Sequence, residues 1–267
     1  MTSVGLLAGP KVRLRPREES GKAPRGAGVE LVLLRGFELR CGDEIVPLPM
    51  SAQRLLAFLA LHDQSLLRSY VAGTLWLEAS DERANACLRS VLWRLQRSSH
   101  RLVEVTGRQL RLAQWVRVDV REIERLARSV IGGARGWEAN GRAQELLADD
   151  LLPDWYDDWL AVDRECFRQL RLHALETVCE RLTKAGKLGQ ALEAGLAAVA
   201  GDPLRESAHR ALINVYLAEG NPGDALRQYR LYRRLLAEKL GLEPSAQIER
   251  LVGSLPRGVP GQPATER

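Results

Sequence analysis

The stretch GKLGQAL at residues 186–192 decides the fold, because the chain repeats it weakly as GNPGDAL at residues 220–226. Two Gly residues, an Ala and a Leu recur in the same places at an offset of 34 residues (220 − 186). That offset is the period of proteins built from stacked helix pairs, in which a small Ala lets two helices approach closely. The rear half therefore predicts helical repeats, which form binding surfaces rather than active sites.

Gly and Pro punctuate the rear half at intervals that suit helices. We expect helices from Asp119 to about 131, near 139–148, from about 160 to 184, and near 188–200, 203–218, 222–239 and 245–251. Pro203 and Pro222 are predicted at first-turn positions. Because Asp119 begins the rear half directly, we expect almost no linker and a fixed orientation of the two halves.

The front half differs from the rear half in charge. Residues 1–130, which comprise the front half and the first predicted helix of the rear half, carry 21 Lys or Arg against 14 Asp or Glu, a net charge of +7, whereas the remainder carries −2. This asymmetry suggests a polyanion-binding module joined to a protein-interaction module. Arg outnumbers Lys 34 to 5, which also fits a GC-rich genome, so the basic count alone decides nothing.

At 267 residues the chain is long enough for two cores. Residues 1–28 are interpreted as a disordered basic arm and residues 253–267 as a flexible tail. No apolar run approaches a membrane span and the start lacks a secretion signal, so we expect a cytoplasmic, nucleoid-associated protein without membrane contact.

The sequence carries no motif of an enzyme. It has no glycine-rich phosphate loop, dinucleotide fingerprint, nucleophile elbow or zinc helix, so we expect no catalytic residue and no cofactor. Four cysteines, Cys41, Cys87, Cys166 and Cys179, lack metal or redox spacing, and no metal site is expected. The three on predicted helices are interpreted as small buried hydrophobes.

The front half predicts a sheet, three helices and a hairpin, in that order. The sheet spans residues 29–48, the helices run from Ser51 as the cap to about His62, over 68–77 and over 81–97, and the hairpin spans 102–112. This order is typical of a winged helix, in which the third helix can enter the major groove and the hairpin can approach the adjacent backbone.

The helix over 81–97 carries the candidate binding residues. Leu88, Leu92 and Leu95 share one face, which leaves the opposite face to polar and basic side chains. An Arg-lined helix by itself is more often a solvated face, but the order of elements favours DNA. We predict base contacts from Arg89, Ser90 and Arg94, phosphate contacts from Arg83, Arg97 and Arg108, and further DNA contacts from Trp93 and Thr106.

Several separated motifs resemble one family in the correct order. LLAFLAL at 55–61, Leu75-Trp76 and residues 85–97 resemble the OmpR-type winged helix of the Streptomyces antibiotic regulatory proteins. LLPDWYDDW at 151–159, residues 168–176, DPLRESAHR at 202–210, GDALRQY at 223–229 and LGLEPS at 240–245 resemble the tetratricopeptide-like bacterial transcriptional activator domain behind it. The chain departs from the usual pattern at Val91, Trp93 and Arg108-Gln109.

The resemblance implies a mainly α fold with a small β component, divided into a DNA-binding domain over 29–117 and an activator domain over 118–252. It also implies an activator that binds direct repeats of double-stranded DNA as a homodimer or as tandem protomers. Such a protein recruits RNA polymerase holoenzyme and controls antibiotic or other secondary-metabolite genes. The alternative is a helical-repeat adaptor or ligand-sensing protein with a degenerate DNA-binding domain, which the departures keep open.

Three features of the rear half allow two interpretations each. Trp155 and Trp159, taken as one helical turn apart, either anchor a partner or, more often, pack in the core. Arg227, Arg230 and Arg234 either touch nucleic acid or polymerase or form a solvated helix surface. His209 is expected to make an inter-helix hydrogen bond rather than to act in catalysis.

Overall fold

The computed structural model describes residues 28–97, 101–134 and 150–253. Two small sheets belong to the front half, and helices dominate the rest of the described chain. This confirms the expected mainly α fold with a small β component. The predicted helix near 139–148, the arm over 1–27 and the tail beyond 253 lie outside the described residues.

The first sheet joins the two halves of the chain. Its strands are β1 (Val29–Val32), β2 (Glu38–Cys41), β3 (Glu44–Ile45) and β7 (Arg117–Val118). Their order is β3-β2-β1-β7, with antiparallel pairing of the first three strands and parallel pairing of β7 with β1. Because β7 leads directly into the next helix, the sheet fixes where the rear half begins.

The second sheet forms the wing. β5 (Val103–Thr106) and β6 (Gln109–Leu112) make an antiparallel hairpin, and β4 (Leu66–Leu67) pairs with the other side of β6. Leu110 and Leu112 are buried from this sheet, whereas Thr106 and Gln109 at its tip are exposed. The alternation gives the hairpin one face against the core and leaves its tip in solvent.

The front half contains α1 (Met50–Leu61), α2 (Arg68–Leu75) and α3 (Asp81–Arg97). Two predicted boundaries are wrong. Pro49, not Ser51, occupies the N-cap of α1, because its extended backbone leaves its carbonyl free to accept from Ala52 N at 2.9 Å. The second helix ends at Leu75 rather than at 77, because the backbone of Trp76 leaves the helical region at ψ 54°.

The rear half consists of α4 (Asp119–Ile131), α5 (Leu160–Lys184), α6 (Leu188–Gly201), α7 (Glu206–Ala218), α8 (Pro222–Leu240) and α9 (Ala246–Gly253). Pro222 occupies the first turn of α8 as predicted. Pro203 does not lie in a helix, because the Asp202 carboxylate accepts from Leu204 N at 3.1 Å and holds a turn before α7.

The 34-residue repeat coincides with equivalent points of two helix pairs. Gly186 follows α5 with φ +73° and Gly220 follows α7 with φ +76°. These left-handed conformations suit Gly at a helix end. The repeated Ala191 and Ala225 are fully buried on the following helices, as expected where two helices approach closely.

The expectation of two cores is met differently from a division between the halves, because the larger core runs through both halves and a smaller one lies among α7, α8 and α9. The Asp119 carboxylate accepts from Leu33 N at 3.0 Å and from Leu34 N at 2.9 Å, which ties the start of α4 to the end of β1. The Arg121 guanidinium donates to Ala60 O at 2.8 Å and to His62 O at 3.1 Å, at the carboxyl end of α1. Backbone, side-chain and core contacts therefore all hold the two halves in one orientation.

The cysteines differ from the expectation at one position. Cys179 is buried and Cys87 is partly buried, but Cys166 is exposed on α5. Its neighbours on the other face of α5, such as Phe167, fill the core instead. No helix among the described residues is long and apolar enough to cross a membrane.

Candidate DNA-binding surface

The third helix, α3, is amphipathic and its charges follow its dipole. Asp81 and Glu82 lie in its first turn, and Arg94 and Arg97 lie in its last. Acidic residues near the amino end and basic residues near the carboxyl end both stabilise a helix. The face turned to the core consists of Ala84, Leu88, Val91, Leu92 and Leu95, all buried.

The predicted α3 residues lie on the opposite face. All six are exposed: Arg83, Arg89, Ser90, Trp93, Arg94 and Arg97. Four of them, Arg89, Ser90, Trp93 and Arg94, line a shallow depression on the helix surface. The structure therefore brings the predicted base-contacting side chains together on one solvent-facing surface.

Val91 has a different role from the one that its departure from the family pattern suggested. Its side chain is 4% exposed and packs in the core, so it faces away from the candidate surface. The spacing of Ala84, Leu88, Val91 and Leu95 by four, three and four residues would have placed it there. Its identity therefore bears on packing rather than on base contact.

Two side chains of this surface are positioned by neighbours on α3. The Arg97 guanidinium lies 4.6 Å from the centre of the Trp93 ring, a cation–π contact that orders both groups. The Ser90 hydroxyl donates to Ala86 O at 3.1 Å. Because its proton is engaged, Ser90 Oγ presents acceptor lone pairs to an approaching ligand.

The wing presents its two predicted residues at a tight turn. Gly107 adopts φ +61°, and Thr106 and Arg108 on either side of it are exposed. The Arg108 carbonyl accepts from Arg68 N at 2.8 Å, which anchors the turn to the start of α2. Thr106 and Arg108 thus lie on a separate element from the six α3 residues, with a fixed backbone beneath them.

The tryptophan pair of the rear half belongs to the core. Trp155 and Trp159 lie before α5, not one turn apart within it, because α5 begins only at Leu160. Trp155 is 8% exposed and stacks against Phe37 at 6.0 Å, and Trp159 meets Phe58 edge-on at 5.1 Å. Packing is therefore the better interpretation of this pair.

His209 makes the inter-helix hydrogen bond that was expected. Gln228 Nε2 of α8 donates to its Nδ1 at 2.9 Å, and its Nε2 donates to Pro203 O at 2.9 Å. Burial lowers the pKa of His209 below its ordinary value, although Pro203 and the nearby Asp202 and Glu206 oppose this effect. A neutral imidazole satisfies both bonds at once.

Arg227, Arg230 and Arg234 are exposed on α8, and Arg227 pairs with Asp224 at 3.0 Å. Their contact with nucleic acid or polymerase remains a prediction. In the described part of the chain, no three His, Cys, Asp or Glu side chains are grouped so that they could hold a metal ion.

Sequence reasoning missed two arginines that bind backbone carbonyls. Arg121 belongs to the joint between the halves, which is formed by the contacts of Asp119 and Arg121 with residues 33–34 and 60–62, whereas Arg164 holds the segment before α5 within the rear half. Besides Arg121, Arg164 of α5 donates to Leu151 O at 2.9 Å and to Trp155 O at 2.9 Å. Both bind backbone carbonyls, which carry no residue-type signal. No sequence pattern marks them apart from the other arginines.

The fold, a winged helix fixed to a set of helix pairs, is typical of the class of regulatory proteins, and the exposed face of α3 is its candidate nucleic-acid interface. Residues 118–255 match the family described as Bacterial transcriptional activator domain, and the chain belongs to this family of transcriptional activators. The resemblance to the Streptomyces antibiotic regulatory proteins is confirmed. The family match and the relative point to a transcriptional regulator rather than to an enzyme.

Two relatives illustrate the likeness. The transcriptional regulator RedD of Streptomyces coelicolor (strain ATCC BAA-471 / A3(2) / M145) is 37% identical over 84 residues, which cover 32% of this chain and 24% of RedD. The solved structure of Mycobacterium tuberculosis EmbR in complex with a low-affinity phosphopeptide superposes with a TM-score of 0.68 at 18% identity. That superposition covers 85% of this chain and 65% of the EmbR chain. The matched parts thus span less than two thirds of either relative, and the EmbR likeness shows the fold alone.

Proposed function

We propose that this protein is a DNA-binding transcriptional activator that binds direct repeats at promoters and recruits RNA polymerase holoenzyme. Residues 29–117 would form the DNA-binding domain and residues 118–252 the activator domain, with residues 1–28 and 253–267 as arm and tail. The observation that carries the proposal is the outer face of α3, where four exposed arginines surround Ser90 and Trp93. Secondary-metabolite genes are the proposed targets, and the nucleoid within the cytoplasm is the proposed location.

Base readout is assigned to the middle of α3. Arg89 and Arg94 border the same depression as Ser90, so one docked helix would bring all three to neighbouring base edges. A guanidinium pairs bidentately with guanine O6 and N7, and a serine acceptor suits an exocyclic amino group of adenine or cytosine. Trp93 would add apolar contact beside them.

Phosphate contacts are assigned to the periphery. Arg83 and Arg97 lie near opposite ends of α3, and Arg108 with Thr106 lies at the wing tip. Cations at these separate positions can bind backbone phosphates and set the register of α3 in the groove without reading sequence. The cation–π contact with Trp93 would preorganise Arg97 for this role.

Selection of bound sequences from random duplex DNA by the full-length chain, repeated across salt concentrations, tests the proposal. An enriched direct repeat with steep salt dependence supports it. Salt-sensitive binding without an enriched motif would show only a basic surface. Absence of DNA binding, together with a stable non-polymerase partner from nuclease-treated extract, would instead identify a helical-repeat adaptor.

Single substitutions separate the two kinds of contact on the selected sequence. Arg94→Ala should cost about 1–3 kcal/mol and relax preference at one position, as expected for a lost bidentate base contact. Arg97→Ala should weaken all sequences alike and reduce the salt slope by about 0.9. Arg250→Ala, which changes an exposed arginine on α9, serves as the control. Unchanged affinity and preference in Arg94→Ala would refute the assignment of α3.

On direct repeats, we propose that protomers bind head to tail. Because the orientation of the halves is fixed, each protomer would present its helix pairs in the same direction along the duplex. Repeats must then be spaced by about a whole number of helical turns. Inserting half a turn between them should abolish activation, and unchanged activation would exclude this arrangement.

A further inference from the structure

Trp93 differs in character from the other outward side chains of α3. It is 57% exposed, and among the residues of α3, all of which the structure describes, it is the one large apolar side chain that faces solvent. Its neighbours on the same surface, Arg89, Ser90 and Arg94, end in polar or charged groups. The indole ring therefore suits a different group of the ligand from those three.

The indole ring is held in place by its neighbours along the helix. Side chains of a helix lean toward its amino end, so Trp93 lies over the turn that carries Arg89 and Ser90, and Arg97 lies over Trp93. The Arg97 guanidinium is accordingly 4.6 Å from the centre of the ring. On the side away from Arg97, the ring lines a depression of about 380 Å³ together with Arg89, Ser90 and Arg94. An ordered apolar surface thus faces the space into which base edges would enter.

The major groove of DNA offers this ring one apolar group. Guanine presents the acceptors O6 and N7, adenine and cytosine present amino groups, and thymine alone presents a methyl group, at C5. Arg89 and Arg94 suit guanine, and Ser90 Oγ, which donates its proton to Ala86 O at 3.1 Å, suits an amino group. The methyl group of thymine remains, and an indole surface can shield it from water without any hydrogen bond.

We propose that Trp93 contacts the C5-methyl group of one thymine in each repeat, adjacent to a guanine bound by Arg89 or Arg94. This inference rests on the proposed function and adds the base that the indole ring reads. Removing the methyl group should weaken binding about fourfold, which corresponds to about 0.8 kcal/mol for one buried methyl group. The contact makes Trp93 a specificity-determining residue rather than a general apolar contact.

Replacing single thymines by deoxyuridine in the selected DNA sequence tests this contact. The replacement removes the C5-methyl group and leaves the pairing edge of the base unchanged. We expect one thymine in each repeat whose replacement weakens binding of the full-length chain about fourfold. This comparison uses the unchanged protein, so it holds whether or not any variant folds.

Substitutions of Trp93 connect the methyl group to the ring. Trp93→Ala should remove the difference between thymine and deoxyuridine at that position, whereas Trp93→Phe keeps an apolar ring and should retain most of it. Val162→Ala is the control, because Val162 is an apolar side chain on α5 that is 70% exposed and lies outside α3, and it should retain the full difference. Circular dichroism verifies that each variant is folded.

The outcomes separate this contact from the proposed function. A selected sequence in which no thymine shows the loss, or a loss that persists in folded Trp93→Ala, would overturn the contact and leave the proposed function standing. Equal weakening of all sequences by Trp93→Ala would assign the ring to the DNA backbone and overturn it as well. If random DNA yields no enriched sequence, the proposed function fails together with the contact.

Discussion

Replacing Asp119 with Ala would measure how firmly the two halves are joined. The carboxylate accepts from Leu33 N and Leu34 N, and both of these residues are buried at the end of β1. Each buried N–H left without an acceptor costs about 1–3 kcal/mol, so two cost about 2–6 kcal/mol. Burial also raises the pKa of Asp119, which shows that its charge is desolvated, and removing that charge recovers part of the loss. We expect the free energy of unfolding to fall by about 2–4 kcal/mol.

Urea unfolding of the full-length chain, followed by circular dichroism and tryptophan fluorescence, measures this change. Glu124→Ala on the same helix is the control, because the Glu124 carboxylate pairs with Arg128 one turn away on that helix at 3.2 Å. Such a pair contributes about 0.3–0.5 kcal/mol. A loss in Asp119→Ala no larger than that of the control would refute the inference that this carboxylate joins the halves.

Three further outcomes are expected from the same unfolding measurement. The pKa of buried His209 lies below its ordinary value of 6.5, so on acidification the unfolded chain takes up a proton before the folded chain does. The free energy of unfolding should therefore be constant well above pH 6.5 and fall as the pH drops through 6.5, and His209→Gln should remove this pH dependence. Gly220→Ala should lower the free energy of unfolding by about 1 kcal/mol, because Gly220 has a φ of +76° that alanine adopts only with strain. Gly189→Ala should not lower it, because Gly189 has open surroundings and no positive φ. Val91→Ala should lower the free energy of unfolding by about 1–3 kcal/mol because it opens a cavity in the core behind α3. Arg89→Ala on the exposed face should change it by less than about 0.5 kcal/mol. A larger loss in Arg89→Ala than in Val91→Ala would show that the wrong face of α3 has been placed in the core.

The sequence predicted the helices well wherever apolar spacing was strong. The buried faces of α3 and of the repeated helix pairs followed from positions such as Leu88, Leu95 and Ala191. The starts of α1 and α7 were harder to predict. The extended backbone of Pro49 and the turn held by Asp202 set these starts, and neither depends on the spacing of apolar residues. Local hydrogen bonds decide such boundaries by small energies, which periodicity does not report.

The candidate DNA surface could also be predicted, since the exposed face of α3 is the complement of its buried face. The joint between the halves could not. The Arg121 guanidinium binds carbonyl groups of Ala60 and His62, which are distant in sequence, and the Arg54–Asp157 ion pair forms only when α1 meets the segment before α5. Side chains whose partners are backbone atoms or distant elements leave no spacing in the sequence.

The continuous core limits how this protein and its relatives can be recombined. A chimera cut at Val118 would place a foreign Asp119 and Arg121 opposite the end of β1 and the end of α1, where two sets of hydrogen bonds depend on matching backbone positions. Front and rear halves therefore have to be inherited together. Under the proposed function, operator preference could be exchanged between relatives by grafting only the outward side chains of α3, because those side chains make none of the described contacts that hold the joint.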